Sequence, residues 1–129
     1  MIQFYWYPKC GTCKKALKWL ENKAIAVETI DLITETPNAV TLEKWLRESE
    51  LPVKRFFNTS GMKYRALDLK DKVDGFTLEE AAQLLATDGM LIKRPLLIKD
   101  GHFLTNGFKE KEYEGILNEN DETFFKEKR

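Results

Sequence analysis

Both cysteines of this chain fall in one tetrapeptide, Cys10-Gly11-Thr12-Cys13. Two thiols at this spacing can exchange an electron pair with a substrate: one thiolate attacks and the other closes a disulfide. The flanking sequence favours a reactive first thiol. An apolar run, Ile2 to Tyr7, precedes the motif, and a helical pattern from about Lys14 to Asn22 follows it, with Ala16, Leu17 and Leu20 at helical spacing. The first N–H groups of a helix lack intrahelical partners and carry partial positive charge, so they stabilise a thiolate placed over them. A lowered thiol pKa leaves more of the sulfur nucleophilic at neutral pH. Lys14 and Lys15 add cations beside that turn. Cys10 is the expected nucleophile, and Cys13, inside the helix, the expected resolving thiol.

The same pair has plainer uses. Two cysteines could form half of a zinc site, but His102 is the only histidine and tetrahedral closure takes four ligands. A structural disulfide would close a tiny loop, which stabilises less than a long one. Two thiols buried as small hydrophobes is the remaining alternative. No metal and no bound cofactor are expected.

The elements around the motif set its geometry. A second short strand, Ala26 to Asp31, makes β-α-β, whose right-handed crossover places the two strands parallel. Polar residues then lead to a helix from about Val40 to Ser49 that can bury Leu42, Trp45 and Leu46. Pro52 ends it, Val53 to Phe57 is a shorter helical piece, and Asn58-Thr59-Ser60-Gly61 is a turn. A short helix or irregular segment spans Tyr64 to Lys72. Thr77-Leu78-Glu79-Glu80 matches a capping box that opens a helix ending at Gly89. Ile92 to Ile98 reads as a strand, Asp100-Gly101 as a hairpin turn, and Phe103 to Thr105 as the return. A last amphipathic helix, Lys109 to Leu117, turns Tyr113, Ile116 and Leu117 inward.

This order is the thioredoxin-like β-α-β…β-β-α arrangement, an α/β fold on a mixed four-stranded sheet with an all-helical insertion. A Cys-x-x-Cys at a strand-to-helix junction is where such a fold keeps its redox centre. The 129 residues suit one domain: a core of about 1–35 and 91–117, the insertion at about 36–90, and a charged tail, 118–129, that only Phe124 and Phe125 could dock. The insertion is too thin in core residues to fold alone. Lys+Arg and Asp+Glu both number 21, so no net field directs the chain to nucleic acid or an anionic membrane. No apolar stretch approaches spanning length, and the first residues enter a strand without a signal-peptide pattern, so a reducing cytoplasm is the expected compartment.

Three segments, Cys10-Gly11-Thr12-Cys13-Lys14-Lys15-Ala16, Lys93-Arg94-Pro95-Leu96 and Asn106-Gly107-Phe108-Lys109-Glu110, together resemble the ArsC/Spx family. That family includes glutaredoxin-coupled arsenate reductases and the RNA-polymerase-binding regulator Spx. The central Phe56-Phe57-Asn58-Thr59-Ser60-Gly61 is most similar to uncharacterised ArsC-like members. The resemblance implies Cys10 as catalytic cysteine, Gly11 and Thr12 as the anion-cradling turn, Arg94 as an oxyanion-holding arginine, and Pro95 as a cis proline facing the thiol. Lys14 stands where the reductases have an arginine beside the turn, and is an expected anion contact. Asn58 and the Asn106-Gly107 pair replace two further arginines, and Trp6 replaces a histidine. Planar guanidinium forks grip oxyanions in pairs, and each lost charge-assisted hydrogen bond is worth about 1.5–3 kcal/mol, so these departures predict a weaker grip on arsenate.

The function implied is reduction of a small oxyanion or disulfide by a Cys10–Cys13 couple, reset by glutathione with glutaredoxin or by thioredoxin. The alternative implied is an Spx-like redox-sensing regulator that binds the RNA polymerase α-subunit, although Ser60 stands where the family's basic contact residue falls. Lys54, Arg55 and Lys63 offer another basic surface. His102 reads as a surface strand residue, and Trp6, Trp19 and Trp45 as packing residues, with Trp6 near the thiol.

Overall fold

Strand β1 (Ile2–Trp6) and strand β2 (Val27–Asp31) are joined by helix α1 (Gly11–Asn22), and this crossover returns β2 parallel to β1. The computed structural model describes residues 1–117; the charged tail with Phe124 and Phe125 lies outside the described residues. After the helical insertion, β3 (Leu96–Lys99) pairs antiparallel with β1, and β4 (His102–Asn106) antiparallel with β3. The sheet order is β2-β1-β3-β4, the mixed thioredoxin-like sheet that the element order implies. The β3–β4 turn has positive φ at both Asp100 (52°) and Gly101 (82°), the type I′ geometry that Asp-Gly favours.

Side chains alternate across the pleat, and each face of the sheet buries a different set of helices. Phe4 and Leu97 pack with Ala16 and Leu20 of α1, and with Tyr113 and Leu117 of a last helix, α5 (110–117). Leu96 and Ile98 face the insertion. They meet Leu42, Trp45 and Leu46 of α2 (Ala39–Ser49), Phe56 and Phe57, and Ala81, Ala82 and Leu85 of α4 (Leu78–Ala86). The short α3 (Met62–Ala66) and a 3-10 turn, Val73–Gly75, complete the insertion. Its apolar residues find their partner in the sheet, which a thin helical lobe needs for a core. Polar contacts fix it to the hairpin: Trp45 Nε1–H donates to the Gly101 carbonyl (3.1 Å), and the Phe103 N–H donates to the Glu48 carboxylate (3.0 Å).

The capping box at Thr77 and Glu80 is present, with reciprocal bonds of 3.0 and 2.9 Å. Three sequence expectations change. Helix α1 starts at Gly11 rather than Lys14, because the Cys10 side chain itself serves as the cap. The strand expected from Ile92 begins only at Leu96: Pro95 has no N–H to give a ladder, and Ile92 makes one isolated bridge to Phe57. Gly89 does not end α4, which stops at Ala86 with Thr87 as C-cap; it is buried against Leu32, where a Cβ would come within 2.3 Å of the carbonyl oxygen. Among the described residues no helix is long and apolar enough to cross a membrane.

Candidate active site

A turn closed by the Cys10 N–H on the Tyr7 carbonyl (2.9 Å) carries the chain from β1 into α1. Cys10 sits in extended conformation at the N-cap, and its Sγ accepts the Cys13 N–H at 3.4 Å. The thiol takes the place that a Ser or Asp oxygen fills in an ordinary cap, over the orphan donors of the first turn. Cys13 lies one turn inside, fully buried, whereas Cys10 is only part-buried, and neither is in a disulfide.

The two thiols are driven apart. Burial pushes Cys10 up, but hydrogen bonds from the Cys13 thiol and backbone N–H, and then the hydrogen bond and charge of Arg94, outweigh it and leave the thiol below its ordinary value. At Cys13 burial prevails: a Tyr7 backbone hydrogen bond offsets only part of it, the neighbouring Cys10 adds to it, and the thiol is pushed up to about 12. One sulfur is thus the readier nucleophile and the other a protonated, sheltered partner.

Cys10 opens into a cavity of about 300 Å³ whose walls come from four parts of the chain. Thr12 and Arg94 line it with the thiol. Arg94 donates to the Met90 carbonyl (3.3 Å) and lies over the Tyr7 ring, 5.4 Å from its centroid. The Arg94–Pro95 bond is cis, and Pro95 is buried with its carbonyl accepting the Gly107 N–H (2.8 Å). Gly11 lies on the other flank of Cys10, in a more open depression of about 680 Å³ with Met62 and Met90. Lys14 is exposed on α1 and lines neither hollow. Asn58, Asn106 and Gly107, which stand where the resemblance places arginines, do line the cavity.

Sequence reasoning missed much of the cavity's charge. Arg55, Lys93 and Lys109 line it, with Glu112 as a carboxylate among them. Burial, then the charges of Arg55 and Lys109, push the Lys93 amine down, with Glu112 opposing. Gly107 makes room for this group: its φ is 73°, and a Cβ there would sit 3.0 Å from Lys93 Cε. Buried Asn106 donates from Nδ2 to the Arg55 carbonyl (2.8 Å), tying β4 to the insertion behind the cavity. The charges were visible in the Lys93-Arg94 doublet and at Lys109, but their convergence was not. Trp6 packs tilted against Phe4 (6.1 Å) at the edge of the core cluster, and exposed His102 bonds Glu48 at 2.7 Å, far along the hairpin. Among the described residues no three His, Cys, Asp or Glu side chains gather as metal ligands.

The ArsC family model matches residues 5–116, which include both cysteines and every residue of the cavity. The chain is 50% identical over 113 residues to the uncharacterized protein YusI of Bacillus subtilis, spanning 88% of this chain and 95% of YusI. It is 27% identical over 117 residues to the global transcriptional regulator Spx 1 of Lactococcus lactis, spanning 91% and 89%. Among solved structures it is similar to a possible arsenate reductase from Streptococcus mutans, at 50% identity and a TM-score of 0.81, covering 84% of this chain and 92% of that one.

Proposed function

As this chain belongs to the ArsC family, we propose that it is a thiol oxidoreductase of the arsenate-reductase type, using Cys10 on a small oxyanion or disulfide and Cys13 to resolve the product. The observation that carries this is the asymmetry of the pair: a helix-capping, arginine-facing Cys10 open to a cationic cavity, and a buried Cys13 one turn behind it.

On an oxyanion, the Cys10 thiolate displaces one oxygen as water and forms a sulfur–arsenic bond. Attack by Cys13 on the Cys10 sulfur then leaves the electron pair on arsenic. Arsenate becomes arsenite, and the dithiol becomes a disulfide. Arg94, with Arg55, Lys93 and Lys109, balances the anion's charge. The two lysines supply point charges rather than forks, so the cavity suits anions more broadly than arsenate alone. A Cys10–Cys13 disulfide is reset by thiol–disulfide exchange with thioredoxin, or with glutathione and glutaredoxin, in a reducing cytoplasm.

The test is arsenate-dependent NADPH consumption, run in parallel with glutathione plus glutaredoxin and with thioredoxin plus its reductase. Turnover that disappears with Cys10→Ser supports the reading. Absence of turnover with both systems removes arsenate as substrate.

Similarity to Spx 1 over most of the chain supports a second reading, in which Cys10–Cys13 oxidation alters binding to the RNA polymerase α-subunit. Ser60 replaces the family's basic contact, and Lys63 is paired with Asp88 at 3.6 Å. A pull-down with the α-subunit, oxidised and reduced, decides it: a redox-dependent complex favours the regulator.

A further inference from the structure

We propose that Arg55, Lys93, Lys109 and Glu112 form a recognition subsite for the α-amino-carboxylate end of a small disulfide whose sulfur is presented to Cys10. The proposal rests on the thiol-reductase reading above and names the substrate class for that site.

The cavity's charge pattern is the reason. A bare oxyanion needs only positive charge, and a carboxylate among the cations would oppose it. Glu112 is held in that opposing position, because its Oε1 accepts the Thr105 hydroxyl and so fixes the carboxylate at the cavity wall. A ligand carrying both a carboxylate and an ammonium uses both signs: its carboxylate meets Lys93, Arg55 and Lys109, and its ammonium meets Glu112. Burial, and then the charges of Arg55 and Lys109, hold the Lys93 amine below its ordinary value, and an incoming carboxylate offsets the part that the neighbouring cations supply.

Shape agrees with charge. Small-molecule pockets run from about 300 to 1,000 Å³, and this cavity, at about 300 Å³, is at the amino-acid end of that range. Gly107 keeps it open, since a Cβ at that position would press on the Lys93 side chain at 3.0 Å. Cys10 and Arg94 lie on the same cavity, so a ligand anchored at Lys93 has its sulfur within the hollow that holds the nucleophile.

The reaction balances without a further group. The Cys10 thiolate attacks one sulfur of R–S–S–R, the S–S bond breaks, and the departing RS⁻ takes a proton from water. Cys13 loses its proton to water and attacks the Cys10 sulfur, which expels the second RS⁻ to take that proton from water and leaves the Cys10–Cys13 disulfide. The substrate gains two electrons and the protein loses two. A thioredoxin-type dithiol returns them.

The experiment measures the second-order rate at which the reduced protein is oxidised by four disulfides: cystine, 3,3′-dithiodipropionate (carboxylates only), cystamine (ammonium only) and 2-hydroxyethyl disulfide (neutral). Each rate is expressed relative to the neutral compound in the same variant, so that a change in Cys10 reactivity cancels. Cystine is expected to be fastest by about tenfold, with dithiodipropionate next and cystamine below the neutral compound. Lys93→Gln should reduce the cystine ratio toward one, and Glu112→Gln should bring cystine down to dithiodipropionate. Glutathione disulfide carries the same end group, and the faster of it and cystine names the source. Equal ratios for all four disulfides, or a cystine preference that survives Lys93→Gln, would overturn the subsite while leaving Cys10 a reductant. No reaction with any of the four disulfides would overturn the disulfide branch of the thiol-reductase reading, and the subsite with it.

Discussion

The guanidinium of Arg94 lies over the ring of Tyr7, 5.4 Å from its centroid, and the same guanidinium adds to the Cys13 hydrogen bonds that hold the Cys10 thiol down. Tyr7 therefore acts on the nucleophile through Arg94, in addition to closing the turn that delivers Cys10. A cation–π contact contributes about 0.5–2 kcal/mol, depending on how far it is desolvated. Tyr7→Leu is expected to move the midpoint of Cys10 alkylation to higher pH, while Tyr7→Phe, which keeps the ring, stays near the parent. Iodoacetamide rates measured against pH report this. An unmoved midpoint in Tyr7→Leu would mean that the Met90 carbonyl alone holds Arg94.

Alkylation should also separate the cysteines. In the native protein Cys10 is expected to react alone, with a midpoint below that of an ordinary thiol, and Cys13 only once denaturant exposes it. Peptide mass mapping after a short iodoacetamide pulse distinguishes them; equal labelling would contradict the burial of Cys13.

The raised Cys13 value also bears on stability, with a definite sign. Its protonated form is favoured by the fold, so its contribution is whole below the unfolded-state value and is lost as pH rises from the ordinary thiol range toward about 12. Cys10 has the opposite sign: its thiolate contributes above the ordinary range, and that contribution is lost as pH falls through its lowered value. Urea denaturation at alkaline pH should show stability falling as pH rises, and Cys13→Ala should flatten that fall. The same slope in Cys13→Ala would assign it to another group.

Arg94 and Lys14 should differ in their effect on turnover. Arg94 faces the thiol in the cavity, and losing its charge-assisted hydrogen bond costs about 1.5–3 kcal/mol, roughly ten- to a hundredfold in kcat/KM. Lys14 is exposed and away from the hollow, so Lys14→Ala should cost less than about twofold, screened by solvent. Equal losses would relocate the anion to the outer face of α1.

Gly89→Ala tests the seam between the insertion and the sheet. The new methyl would meet the Leu32 backbone carbonyl at 2.3 Å, a contact no rotamer can relieve. A destabilisation of about 3 kcal/mol is expected, at the upper end for overpacking, read as a lower urea midpoint. A change below about 0.5 kcal/mol would show that the backbone there yields.

Most of the element order was legible along the chain, because the helices of the core and the Asp100-Gly101 turn declare themselves through local spacing and backbone preference. The misplacements have separate causes. Cys10 caps α1 with sulfur, a capping atom that the usual Ser, Thr and Asp pattern does not signal. Gly89 is small because another segment's carbonyl presses on it, not because a helix ends there. Ile92 looks like strand but makes only one isolated bridge, to Phe57, and Pro95, which has no N–H to donate, separates it from β3.

The sequence by itself determined where Cys10 and Cys13 sit, because a thiol pair across a strand–helix junction is a local arrangement set by neighbours in the chain. It did not determine what Cys10 faces. Arg55 comes from the insertion, Lys93 and Arg94 from the approach to β3, and Lys109 and Glu112 from the approach to α5 and α5 itself. Only the packing of the insertion on one sheet face and of α5 on the other brings those charges to one cavity. The sign and size of what the thiol meets are therefore properties of the tertiary structure, since charge in a cavity sums over distance in space and not along the chain.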